Sequence, residues 1–179
     1  YRYLGRHPDV APAKTKEIDF FNCDSRYSLG HDFYHSHFPR KTLWNFHKVT
    51  FDVTPGYFGY AQKAAERIYK YNPKIKLIAL LRDPIPRAHS AWQMYRRNYR
   101  KNPDWFFDWV RRCDETVPKD FYWPRPTSFG EEFTRDILDE IEAMESGRSI
   151  EMPILRLGVY HTFLQYYFKH FKRDQMLII

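Results

Sequence analysis

KLIALLRDPIPRAHSAWQMYRR, residues 76–97, decides how this chain folds. Leu77, Ile78, Ala79, Leu80 and Leu81 form a short unbroken apolar run, the pattern of a parallel strand covered on both faces. Asp83-Pro84 ends the run, and Pro86 suits the first turn of a following helix, where a missing N–H costs nothing. Arg82 therefore stands at the carboxyl end of a strand, the edge at which open α/β sheets bind their ligands. Arg87, Ser90 and Arg97 follow on or near one face of the helix. A guanidinium fork and a hydroxyl that arrive together fit one phosphate group. A structural corner with Arg82 paired to Asp83 or a neighbouring acid fits the same spacing, and the residues leave both readings open.

Upstream, residues 60–71 put Ala61, Ala64, Ala65 and Ile68 on one helical face. Residues 44–51 alternate well enough for a strand that enters a turn at 52–57. A short amphipathic helix is predicted over 30–38, a strand near 10–13, a loop over 16–22 and a helix end at 1–4. Downstream, 103–127 reads as an aromatic, charged insertion, with a helix over 104–113 and prolines at Pro118, Pro124 and Pro126. Ser128 is predicted to cap a long helix over 129–146 that Gly147 stops; Phe133, Ile137, Leu138, Ile141 and Met144 form its apolar stripe. A last helix over 158–171 leads into a strand at 176–179. Strands alternating with helices predict an α/β fold, a three-layer sandwich with a central parallel sheet. Without repeats or low-complexity linkers, 1–179 reads as a single domain.

The 179 residues suffice for one core, and 43% hydrophobic with 19% aromatic content marks a folding sequence. A formal net charge of +7 favours an anionic partner: nucleic acid, an acidic glycan or a phosphate-rich nucleotide. No recognisable motif accompanies the basic run of Arg96, Arg97, Arg100 and Lys101, so no nucleic acid is expected and a solvated helix face accounts for it. The two cysteines, Cys23 and Cys113, are too few for a metal site or a disulfide framework; their spacing does not decide between a pair and two thiols. His31, His35 and His37 lack the partners of a ligand set, and no metal is expected. A P-loop kinase or nucleotidase shares this layered architecture but would need GxxxxGK(S/T), which these residues lack. No run approaches the ~20 apolar residues of a membrane span.

Three segments, in order, carry a family resemblance. LLRDPIPRAHS (80–90) resembles the 3′-phosphate-binding segment of sulfotransferases that use 3′-phosphoadenosine 5′-phosphosulfate (PAPS). HPDVAPAKTKEIDFFN (7–22) is similar to the HP-x-V … KE-x-x-FF segment of the heparan-sulfate type of Golgi carbohydrate sulfotransferases, and FDVTPGYF (51–58) to their EKTPxYF segment. Tyr27, Gly30, Tyr34, Phe38 and Pro39 fit the spacing between those two. The resemblance runs from His7 to about Tyr95 and is architectural beyond. It implies the P-loop-like sulfotransferase fold and a PAPS-dependent carbohydrate O-sulfotransferase with an acidic, glycosaminoglycan-like acceptor. PAPS would be the co-substrate, 3′-phosphoadenosine 5′-phosphate (PAP) the product, and no metal would be needed. The implied location is the Golgi lumen, as a type II membrane protein anchored by a segment not present here, with a bacterial cytoplasmic enzyme as the alternative.

The same resemblance implies roles. Glu17 becomes the base that takes the acceptor proton, and Asp52 a second catalytic carboxylate. Without the resemblance Glu17 reads as a partner for Lys14 or Lys16. Arg82, Ser90, Arg87 and Tyr160 are implied to bind the nucleotide; Lys16, Asp19 and Arg97 to meet the acceptor. Phe20, Phe21, Tyr57 and Phe58 are expected to be core. Val53 replaces a family lysine, Asp19 a frequent histidine, Asn22 a frequent aspartate, and Met94 the histidine of N-sulfating members. These departures argue against a glucosaminyl N-sulfotransferase. They also motivate a second reading, a catalytically impaired basic domain that binds acidic glycan or nucleic acid. The glycine- and threonine-rich turn that wraps the 5′-phosphosulfate in the family has no counterpart in these residues, so the chain reads as a central fragment of such a domain.

Overall fold

A computed structural model describes residues 1–113, 129–148 and 152–179. The chain enters through a 3-10 turn, Leu4–Arg6, then runs extended and parallel to residues 49–53. Val10 bridges Val49, and the N–H groups of Ala11, Ala13 and Glu17 donate to the carbonyls of Val49, Phe51 and Val53. Four helices come next in the order α1 (Asp24–Tyr27), α2 (Gly30–Ser36), α3 (Gly56–Gly59) and α4 (Ala61–Tyr71). Strand β1 (Leu77–Ala79) precedes α5 (Pro84–Lys101), α6 (Trp105–Cys113) and α7 (Phe133–Ser146). The 3-10 turn Arg156–Gly158 opens α8 (Tyr160–Phe168), and a further one, Arg173–Gln175, opens β2 (Met176–Ile178).

β1 and β2 pair in parallel, Leu77 opposite Met176 and Ala79 opposite Ile178. The Leu81 N–H prolongs the pairing to the Ile179 carbonyl at 2.7 Å. Parallel strands joined through helices are the predicted α/β arrangement. The cover differs from expectation, however. Leu77 packs into the core, whereas Ile78 (57% exposed), Leu80 (76%), Leu177 (54%) and Ile179 (64%) present one bare face among the described residues. Residues 43–47 also depart from prediction, forming turns that leave Leu43, Trp44 and Phe46 exposed, so the extended stretch starts near Val49.

Two cores hold the elements. In the first, the small residues Ala61, Ala64 and Ala65 let α4 lie close to α8, and Phe20, Phe21, Tyr34, Tyr167 and Phe171 fill the space around them. In the second, Ala88, Trp92 and Tyr95 of α5 meet Phe129, Met152 and Ile154. Helix α7 supports that core with an unexpected face. It starts at Phe133, four residues after the predicted start, and the proposed cap Ser128 lies outside the described residues. Leu138, Ile141 and Met144 are exposed; Asp136, Glu140 and Ala143 are buried instead. The reason is hydrogen bonding. Asp136 Oδ2 accepts the Trp92 indole N–H and the Gly130 N–H, both at 2.7 Å, and Glu140 accepts three backbone N–H groups from Ile154, Leu155 and Arg156. A buried carboxylate is tolerated when its lone pairs are filled in this way. Gly147, at φ 69°, ends the helix as predicted.

Candidate active site

Beyond the end of β1 an open cleft of about 470 Å³ is lined by Arg82, Arg87, Ser90, Met94 and Arg97. Helical spacing explains the grouping, since residues 87, 90, 94 and 97 of α5 share one face while Ala88, Trp92 and Tyr95 are buried on the other. Asp83 caps α5, its Oδ1 accepting the Ile85 N–H at 2.9 Å, and Arg82 has no ion pair among the described residues. The strand end is fixed from α8: the Tyr160 hydroxyl donates to the Arg82 carbonyl at 2.8 Å, and its ring meets Phe58 edge-on at 6.0 Å. Arg87 is partly committed to the fold. Its Nη2 donates to the Ile154 carbonyl, and Gly158 lies so close that an added Cβ would sit 3.4 Å from the guanidinium. Its buried Nε has no partner among the described residues.

The two candidate carboxylates lie on neighbouring segments. Glu17 and Asp19 both take left-handed backbone angles, φ 60° and 53°, which cost an L residue roughly 1–2 kcal/mol each. The loop is held in that shape by its neighbours: the Glu17 N–H donates to the Val53 carbonyl at 3.0 Å, and Arg26 donates to the Ile18 carbonyl. Glu17 itself projects to solvent, with Lys16 Nζ 3.0 Å from its carboxylate. Asp19 turns inward. It accepts from Asn22 at 3.1 Å and pairs with Arg26 at 3.6 Å, so its carboxylate also braces the loop.

Asp52 is enclosed, accepting the Thr54 hydroxyl at 2.9 Å on one oxygen and the Tyr57 hydroxyl on the other. Burial pushes its carboxyl above the ordinary range, against the pull of those two donors. Burial, reinforced by the Asp52 charge, pushes the Tyr57 and Tyr34 phenols up as well, so both keep their protons. Sequence reasoning missed Thr54 and Tyr57 as donors. Tyr57 packs on Phe21 as expected, but a threonine two residues after an aspartate at a proline turn was the available signal for the polar contact. Helix α8 connects the carboxylates to the cleft, because Tyr167 donates to the Tyr57 carbonyl at 2.9 Å while Tyr160 holds Arg82. Among the described residues no group of three or more His, Cys, Asp or Glu is placed to hold a metal.

Gly56 is the tightest point of this assembly. A Cβ there would stand 2.7 Å from Asn22 Nδ2 and 3.1 Å from Asp19 Oδ1. Gly56→Ala is therefore expected to destabilise the protein by about 1–3 kcal/mol, measured by urea unfolding. Wild-type stability in that variant would show that Asn22 moves aside freely.

A scan against models of known protein families finds no match. The chain is 35% identical over 104 residues to heparan sulfate glucosamine 3-O-sulfotransferase 5 of Mus musculus, covering 58% of this chain and 29% of that protein. It is 26% identical over 186 residues to the bifunctional heparan sulfate N-deacetylase/N-sulfotransferase 1 of Xenopus tropicalis, covering all of this chain and 18% of that one. The chain thus spans less than a third of either relative. The crystal structure of a sulfotransferase from Alicyclobacillus acidocaldarius superposes with a TM-score of 0.66 at 21% identity, over 99% of this chain and 65% of that one. That likeness gives the chain the α/β sulfotransferase fold. The sequence matches relate it to sulfotransferases of the heparan-sulfate type, as its three segments predicted.

Proposed function

We propose that this chain, similar in sequence to heparan sulfate sulfotransferases and in fold to a bacterial sulfotransferase, moves the sulfuryl group of PAPS onto a hydroxyl of an acidic, glycosaminoglycan-like carbohydrate. The observation that carries this reading is the strand-end cleft, in which Arg82, Ser90 and Arg97 converge on one opening. Guanidinium groups with a hydroxyl suit a phosphate ester. Arg82 and Ser90 hold the 3′-phosphate, Arg87 and Tyr160 shape the wall, and Arg97 and Lys16 serve the acceptor side, with Asp19, turned inward, bracing the loop that carries Lys16 rather than meeting the acceptor itself.

In the reaction an acceptor oxygen bonds to sulfur as the bond from sulfur to the 5′-phosphate oxygen breaks. The acceptor proton passes to Glu17, and PAP leaves with the negative charge. Asp52 acts one step back: with Thr54 and Tyr57 it fixes the segment whose Val53 carbonyl receives the Glu17 N–H. Transfer of this kind depends on positioning and on positive charge, which arginines and backbone donors supply without a metal. From the same resemblance we infer a Golgi-lumen location, with any membrane anchor in residues outside this chain. No described helix is long and apolar enough to cross a membrane.

Calorimetric titration tests the nucleotide site. PAP is expected to bind the intact protein, AMP far more weakly, and Arg82→Ala to lose roughly 10–100-fold in affinity for PAP. Equal binding of PAP and AMP, or unchanged affinity in Arg82→Ala, would remove the 3′-phosphate assignment.

A further inference from the structure

Cys23 and Cys113, far apart in the chain, are brought together by the fold. Cys23 stands at the start of α1 and Cys113 closes α6, two helices that pack on each other. Both are thiols buried to 1% and 3% exposure where α1 meets α6, near enough that each shifts the other's ionisation more than any other group does. Sulfuryl transfer uses neither. We propose that Cys23 and Cys113 form a disulfide in an oxidising compartment, locking α6 to the segment that carries Glu17 and Asp19. The pairing does not depend on the activity proposed above.

The chemistry is prepared on one side. The Cys113 thiol donates to Cys23 and pulls its pKa down to about 6, while the same contact, burial and the Cys23 charge push Cys113 up. Cys23 is thus the more readily ionised of the two, and a thiolate is the form that attacks a disulfide. The oxidant is a small-molecule or protein disulfide. Cys23 attacks one of its sulfurs and expels the first thiolate, giving a mixed disulfide. Loss of that negative charge on Cys23 frees Cys113 to lose its proton and attack the Cys23 sulfur, expelling the second thiolate. Two protein thiols and one disulfide become one protein disulfide and two thiols.

The bond would act on the site through α1. Arg26 of α1 reaches the Ile18 carbonyl and pairs with Asp19, and Asp24 of α1 is held by Lys63 at 2.9 Å and Arg67 at 2.6 Å from α4. Helix α6 already touches the same half of the molecule through Trp109 against Tyr60. A covalent link at Cys113 makes that attachment permanent.

The intact protein, equilibrated in glutathione buffers of graded potential, quenched with acid, alkylated in denaturant so that the buried thiols are reached, and digested with trypsin, reads the pair by mass spectrometry. The expected product joins residues 17–26 to residues 113–119. Oxidised protein is expected to melt roughly 5–15 °C above reduced protein, a difference absent from Cys113→Ser. Alkylation of both cysteines at every potential overturns the proposal. So does glutathione on Cys23 without a link to Cys113, or a redox-dependent melting temperature that survives Cys113→Ser.

Discussion

Glu140→Ala is expected to cost about 3–5 kcal/mol of stability, because it removes one side chain and orphans three backbone donors together. The Glu140 carboxylate is buried on α7 and accepts Ile154 N–H at 2.8 Å, Leu155 N–H at 2.7 Å and Arg156 N–H at 3.0 Å. Among the described residues these three N–H groups are given no other acceptor, and water entering the cavity would have to share it with Met152 and Ile154 of the second core. The damage would reach the cleft as well. The same turn supplies the Ile154 carbonyl to Arg87 and leads through Gly158 into Tyr160, which fixes the Arg82 carbonyl. Glu140→Gln keeps one acceptor oxygen and should recover part of the loss. Urea unfolding checks both variants; a Glu140→Ala protein as stable as wild type would mean that the turn is held by other contacts.

Glu140 also marks a boundary of what the residues reveal by themselves. β1, the Asp83 stop and the cleft-lining face of α5 were legible because each rests on neighbours within a few positions: an apolar run, an Asp-Pro break, a helical repeat of Arg87, Ser90 and Arg97. The buried face of α7 was not. Its apolar stripe points to Leu138, Ile141 and Met144, yet Asp136 and Glu140 go inside because their donors come from Trp92, Gly130 and the turn at 154–156, contacts that no period within the helix encodes. The bare face of the sheet escaped for a similar reason, since an unbroken apolar run reads alike whether one face is covered or two. Resemblance pointed to Glu17 and Asp52, but the enclosure of Asp52 by Thr54 and Tyr57, and the contact between Cys23 and Cys113, emerge only when separate segments meet.

Glu17→Gln is expected to lower turnover by about 10²–10⁴-fold, the range for loss of a general base, while leaving PAP affinity unchanged. Glutamine keeps the size and an acceptor oxygen of glutamate but cannot hold the acceptor's proton. Glu17 suits that task by position: it projects to solvent from a loop whose backbone is pinned to Val53 and Arg26, so the side chain rather than the chain is free to meet an incoming hydroxyl. The left-handed φ of 60° offers a second test. Glu17→Gly relieves roughly 1–2 kcal/mol of backbone strain against about 0.5–1 kcal/mol of added chain entropy, so it should be as stable as wild type or slightly more so, and equally inactive. A residue that served the fold would show the reverse, with glycine destabilising and activity falling in step. Single-turnover assays with PAPS and a heparan-sulfate acceptor, alongside thermal melts, separate the two. Full activity in Glu17→Gln would move the base to a group other than Glu17, and joint loss of PAP binding and turnover would make Glu17 a structural residue of the loop.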